Sequence, residues 1–258
     1  MKARYPIEAF ALAMVVFSQN MKDALISGIL ILLITTLGLV LDQLFSKDLP
    51  RWSRTSCIII LIVSITHSLF QIVLIAVLGY EITDNTYIYH IFLGILIAKH
   101  IIDAEGQRDY NRLLLEGAGA YATLLIISII REFMAEGAIH GFELLDFSYK
   151  SYGFSLVTIG FILSGMGIAI LNRIFYKNRD LKRTESLLVI IPVIFLVQPF
   201  VIDSIDPTVS MVITIVITLV CFYSIRKYLV FSRLSKEIKN MPIELLSIGM
   251  IYMIFSMF

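Results

Sequence analysis

The chain reads as a succession of apolar runs separated by short polar stretches. Residues 25–41, 57–79, 113–130, 154–171, 187–202, 209–225 and 242–258 are near or beyond the length of a membrane-crossing helix, which needs about 20 mostly apolar residues. Two runs are conspicuously shorter. Residues 6–18 are interrupted by Glu8, and residues 88–98 end abruptly at Lys99 and His100. Backbone polar groups in hydrocarbon must pair within their own segment, so the pattern predicts an all-α polytopic membrane protein of about nine transmembrane segments. Lys2 and Arg4 ahead of the first run resemble the start of a signal peptide. Glu8 breaks that run and no small-residue cleavage site follows, so the segment is read as retained.

Composition agrees with this pattern. Hydrophobic residues make up 58% of the 258, charged residues only 16%, and mean hydropathy is +0.87. These values exclude a water-soluble enzyme with one compact core, a disordered chain and a disulfide-rich secreted domain. A net charge of +1 leaves no basic excess to hold nucleic acid. Cys57 and Cys221 are too few for a disulfide framework or a four-thiolate metal site. The chain has no glycine-rich phosphate loop, no metal-spaced His/Cys set and no Ser-His-Asp arrangement, so it is not expected to be an enzyme by itself.

Lys and Arg concentrate in alternate loops: 2–4, 47–54, 99–112, 173–183 and 226–239. The remaining loops are nearly bare of them. Nine crossings put every basic loop on one side, which predicts a cytoplasmic N-terminus and an external C-terminus. Residues 20–44 and 111–133 each read as a polar turn leading into a long glycine-containing helix, and Gly28 aligns with Gly119. The unit is short–long–long, used twice. Three spans is an odd number, so the second copy enters from the opposite face. The predicted organisation is a first inverted repeat over 1–80, a second over 85–175 and a three-helix extension over 184–258. Short segments at corresponding positions of inverted halves point to a site near the membrane midplane. The plainer reading is two ordinary short spans accommodated by tilt or bilayer thinning.

Several stretches in the first ~175 residues, in order and spacing, resemble one family. They are Asn20-Met21-Lys22-Asp23-Ala24-Leu25 followed by Gly28, then Gln71, then Ile91-Phe92. Glu116-Gly117-Ala118-Gly119 follows, and then Ile130-Arg131-Glu132-Phe133 with Glu136-Gly137. The chain resembles the small six-span paired membrane subunits of the Rnf and Nqr redox-driven ion-translocating complexes. Gly28, Gly117, Gly119, Arg131 and Glu132 are its family-motif positions. The resemblance implies a prokaryotic plasma membrane and a homologous subunit, or a second copy, facing this one across a pseudo-twofold axis. It also implies an intramembrane 2Fe-2S cluster held by two cysteines from each subunit. Here the matching positions are Leu12 and His100, so no family-type cluster is expected on this chain and His100 is only a weak metal candidate. The last three spans have no counterpart in the family pattern.

The remaining candidates are ionisable or polar residues inside apolar runs, where insertion costs at least ~2.5–3.5 kcal/mol for a charge. Lys99 and His100 are candidates for a midplane or ion-path site, with Glu116 or Asp103 the nearest acids in sequence. Alternatively Lys99 snorkels to the interface. His67 and Gln71, four apart, share a helix face and either hydrogen-bond between helices or line a polar path. Glu116 at the start of its span reads as a helix N-terminal cap or a proton carrier. The stretch 134–150 reads as an interfacial helix or a docking segment. Two functions stay open: a membrane subunit of an Rnf/Nqr-like electron-transport complex, or a stand-alone transporter or channel-like protein on the same scaffold. A non-catalytic membrane scaffold is the plainest alternative.

Overall fold

The computed structural model describes residues 5–45, 49–79, 84–104, 110–143, 150–176, 185–198, 206–228 and 242–256. Among them the chain is all-α apart from one small hairpin. The helices are α1 (Ile7–Val16), α2 (Met21–Phe45), α3 (Arg51–Val73), α4 (Asp84–Asp103) and α5 (Tyr110–Glu136). They continue with α6 (Val157–Tyr176), α7 (Leu187–Val197), α8 (Pro207–Tyr228) and α9 (Ile243–Phe255). Helices α2, α3, α5, α6 and α8 are the five long and apolar enough to cross a membrane by length and composition.

Helix α1 is short, as its apolar run predicts, and ends in a 3-10 turn, Phe17–Gln19. Helix α4 is not. It runs for 20 residues, starting before its apolar stretch and passing through Lys99 and His100 to Asp103. Its polar flanks contain no glycine or proline to stop a helix, so propagation continues beyond the hydrophobic part. Helix α7 spans 11 residues and α9 spans 13, both less than their apolar runs. Gln198, just ahead of Pro199, ends α7 in the left-handed region at φ 45°. The stretch after α5 is not an interfacial helix where it is described. Gly137, His140 and Gly141 all have positive φ, and Ala138–Ile139 pairs with Phe142–Glu143 as a two-stranded hairpin. Residues 144–149 of that prediction lie outside the described residues.

Beyond Glu8 in its first turn, helix α1 is apolar all round, the signature of a helix buried on every side. Ala9 through Met14 are fully buried, and α1 touches α2, α4, α5, α6 and α7. The surrounding helices have their polarity reversed relative to a water-soluble bundle. Thr35, Thr66, Ser128, Ser164, Thr214 and Thr218 are buried, while Ile60, Leu115, Ile126, Ile174, Val216 and Val220 are exposed. In water such an apolar outer surface would drive aggregation. Against lipid it costs nothing, and the small polar residues fill helix contacts. Helix α8 carries the pattern in one turn-by-turn stripe. Thr214 and Thr218 bond back to the carbonyls of Ser210 and Thr214, and Thr218 also meets the Tyr252 hydroxyl of α9. Trp52 at the start of α3 and Tyr152 just before α6 are exposed at opposite ends of the bundle, suited to the two interfaces of a bilayer.

Three crossings bring backbones together without room for a side chain, one of them where a Cβ on Gly249 of α9 would lie 2.9 Å from the Thr158 carbonyl oxygen of α6. A Cβ on Gly94 of α4 would lie 2.8 Å from the Val63 Cα of α3. A Cβ on Gly160 of α6 would lie 2.6 Å from the Val15 carbonyl oxygen at the end of α1.

Candidate functional site

Polar side chains gather at the two ends of the bundle. At one end, α1 begins where α4 and α6 finish. Glu8, in the first turn of α1, meets Lys99 of α4 at 3.4 Å, and Lys99 also meets Glu185, just ahead of α7, at 2.8 Å. One ammonium thus joins two carboxylates from distant parts of the chain. Neither Glu116 nor Asp103 takes the role that proximity in sequence predicted. Glu116 instead accepts from Arg112 Nε at 2.7 Å and from the Tyr176 hydroxyl of α6. It is not a helix cap, because α5 starts at Tyr110 and Glu116 lies more than a turn inside it. The Arg112 guanidinium stands 5.8 Å from the centre of the Tyr176 ring, a cation–π geometry. His100 follows Lys99, half-buried.

Tyr5 lies in the middle of this group. It is fully buried, and its hydroxyl has no hydrogen-bond partner among the described residues. Burial pushes its phenol well up, and Tyr176, Glu116 and Glu8 push it the same way. Tyr5 therefore remains a neutral hydroxyl in a cluster that already holds three carboxylates. Asp42 and Arg54 pair bidentately at 2.7 and 2.6 Å, and with Ile102 of α4 they line a small cleft at the same end.

At the other end, the 130–133 motif forms a clasp. Arg131 is fully buried. Its Nη1 donates to the Val15 carbonyl at 3.0 Å and to Ser18 Oγ at 2.7 Å, at the end of α1. Nε and Nη2 donate to the carbonyls of Phe154, Ser155 and Leu156 at 3.0–3.2 Å, in the turn that leads into α6. The last carbonyls of a helix lack partners and carry partial negative charge, so a guanidinium there satisfies both needs. Glu132 does the converse. Its carboxylate accepts from the Met21 N–H that opens α2, at 2.7 Å, and from His140 N in the hairpin, also at 2.7 Å. Adjacent residues of α5 thus hold both sides of the α1–α2 turn. Glu132→Ala is expected to cost about 1–2 kcal/mol, the worth of a good N-terminal cap. A thermal melt of the purified chain in detergent reads that loss, and faster proteolysis at 138–143 reports the freed hairpin.

His67 and Gln71 share a face of α3, as their spacing requires, and both are half-buried. The structure adds a residue the sequence reading did not single out. His90 of α4 is fully buried, with its ring centre 6.2 Å from that of His67. The available signal was a histidine inside the apolar run 88–98. The motif glycines serve close packing. Gly28 faces Tyr121 and Leu124, Gly117 faces Leu32, and Gly119 faces Phe175. Leu12, at the position matching the first family cysteine, is fully buried.

Comparison with known proteins returns no matching family model, no matching curated protein and no matching solved structure.

Proposed function

We propose that this chain is an integral membrane protein on an inverted three-plus-three repeat, which moves a proton or small cation past the Lys99 cluster and carries no electrons itself. The pattern of helix contacts supports the repeat. Exchanging α1 with α4, α2 with α5 and α3 with α6 turns the α1–α5 contact into α4–α2, α1–α6 into α4–α3 and α2–α3 into α5–α6. All of these contacts are present, and α2–α5 and α1–α4 map onto themselves. The contact between α2 and α5 is reciprocal, as across a two-fold axis. Gly28 faces Tyr121 while Gly117 faces Leu32, and the same separation divides Gly28 from Gly117, Leu32 from Tyr121, and Met21 from Tyr110. This register aligns Gly28 with Gly117, two residues from the Gly119 of the sequence alignment.

The observation that carries the functional reading is α7. It touches both α1 and α4, and the residue leading into it, Glu185, meets Lys99. The surface between the two repeats, which the Rnf/Nqr resemblance would give to a sister subunit, is covered by the chain's own extension. The donors for a family-type cluster do not fit either. Leu12 offers only hydrocarbon, and Cys57 and Cys221 belong to α3 and α8. What remains at the repeat interface is an ammonium shared by two carboxylates, with a third carboxylate and two phenols beside it. Ionisable groups gathered at one end of a membrane bundle, between its helices, suit the mouth of a path for protons or ions.

The test is flux. The full chain, purified and reconstituted alone in liposomes, is expected to pass protons or sodium ions under an imposed gradient, read by a pH-sensitive dye and by sodium uptake. Lys99→Leu and Glu8→Gln should each reduce that flux at least tenfold at equal expression and monodispersity. Unchanged flux in both variants overturns the reading.

A second reading, a subunit of a redox-driven ion-translocating complex in a prokaryotic plasma membrane, is favoured by the clasp. Arg131 and Glu132 stand in the motif that carries the resemblance, and they organise the same α1–α2 turn. Under this reading the chain is a wall of the ion path and its partners carry the electrons. Iron and acid-labile sulfide in a gently solubilised native assembly, with redox subunits co-purifying, decide for it over the first.

A further inference from the structure

The α3–α4 interface holds an unexplained pair of imidazoles. His90 is fully buried, and neither of its ring nitrogens has a hydrogen-bond partner among the described residues. His67 Nδ1 is likewise buried and unpartnered. Leaving one such group dry costs about 1–3 kcal/mol, and here three nitrogens are left so within one contact. The crossing just beyond them, where Gly94 meets the Val63 backbone, fixes the two helices close together. Two aromatic rings pack on the pair: Phe70 lies 4.8 Å from His90 and Tyr87 lies 5.4 Å from His67, centre to centre.

Buried unpartnered nitrogens on neighbouring imidazoles are what a metal ion uses. We propose that His67 and His90 together bind a monovalent soft metal ion, copper(I), in a two-coordinate site between α3 and α4. Geometry and charge both select the ion. With metal–imidazole bonds of about 2.0 Å, two rings on one ion place their centres roughly 5–6.5 Å apart, the upper end belonging to a nearly straight N–metal–N angle. The observed 6.2 Å lies at that end. Zinc wants four ligands in a tetrahedron, and no group of three or more His, Cys, Asp or Glu side chains assembles among the described residues. Copper(I) accepts two ligands in line. Both ligands are neutral imidazoles, so the occupied site carries one charge rather than two in apolar surroundings, which limits the desolvation cost. Each ring contributes a lone pair and no proton need be displaced at neutral pH.

The experiment uses the full chain without an affinity tag, in detergent under anaerobic conditions, titrated with copper(I) held by a chromophoric chelator. One equivalent per chain is expected, with X-ray absorption showing two nitrogen neighbours. His90→Phe, close in shape and without nitrogens, should weaken binding at least a hundredfold while raising the melting temperature of the metal-free protein. His90→Cys should keep binding, because a thiolate also suits copper(I). His67→Leu is the second loss variant, so misfolding of one leaves the other to decide. Binding that survives in both His90→Phe and His67→Leu, or wild-type uptake no greater than that of the double variant, overturns the site. So does tight binding of zinc in preference to copper(I). The ion-path reading is independent, since neither histidine belongs to the Lys99 cluster.

Discussion

Arg131→Met is expected to lower the apparent melting temperature of the purified chain by roughly 10 °C or more, the largest loss of any single polar substitution in the molecule. The methionine fills much of the arginine volume, so the loss is not one of packing. It falls on the acceptors. Four carbonyls and the Ser18 hydroxyl take hydrogen bonds from one buried guanidinium. An orphaned buried acceptor costs about 1–3 kcal/mol. Some relief is available, because Leu156 O also accepts from Gly160 N and Ser18 Oγ bonds to Met14 O. A net loss of about 3–5 kcal/mol remains, a large fraction of an ordinary folding free energy. Arg131→Lys should recover little of it. An ammonium is a point donor and cannot span the end of α1 and the turn before α6 as a planar fork does. A scanning melt in detergent, with size-exclusion recovery after mild heating, checks both variants. A melting temperature within a few degrees of wild type for Arg131→Met would mean that the turn at residues 152–156 finds other donors.

Much of this architecture was legible in the chain, and what was hidden has a common cause. The helices announce themselves because lipid demands uninterrupted apolar runs, and the burial of α1 from Ala9 to Val15 agrees with the lack of any polar residue there. Helix α4 outruns its apolar stretch because hydrophobicity marks where a helix is greasy, not where its backbone stops. The 130–133 motif stands out, yet its task cannot be read, since two partners of Arg131 lie more than 110 residues earlier, at Val15 and Ser18, and the other three lie beyond the hairpin, at Phe154, Ser155 and Leu156. Lys99 illustrates the same limit. Its ammonium meets Glu8 and Glu185, not the acids nearest in sequence, Asp103 and Glu116. In a bundle, contact depends on which helix faces which, and that is set by small residues at crossings. Gly28 and Gly117 were noticed because they fall in motifs. Gly160 and Gly94, where backbone meets backbone, sit in plain apolar sequence with nothing to flag them.

Gly160→Ala is expected to destabilise the chain by about 2 kcal/mol or more, against the usual sign for glycine in a helix. In an open helical position alanine is the better residue by about 1 kcal/mol. At Gly160 the added methyl would lie 2.6 Å from the Val15 carbonyl oxygen, 3.1 Å from the Val15 Cα and 3.1 Å from Arg131 Nη1. None of the three is the free end of a flexible side chain. Two belong to the backbone of α1, which is packed on all sides, and the third is held by its own hydrogen bonds. Helix α1 must shift, and overpacking of a well-filled interior costs about 1–3 kcal/mol beyond any propensity gain. Gly153→Ala provides the control. Its new methyl would meet only Ser151 Oγ at 3.3 Å, in an exposed turn, and should leave the melt unchanged. Gly160 and Arg131 also make a double-mutant cycle. Moving α1 to admit the Gly160→Ala methyl pulls Val15 away from Arg131, so the alanine harms wild type partly by loosening the clasp. In the Arg131→Met background that part is already lost, and the alanine should cost at least 0.5 kcal/mol less, the lower end of coupling between residues in contact. Strict additivity would mean that the α1–α6 crossing and the clasp are separate devices, each holding the buried helix by itself.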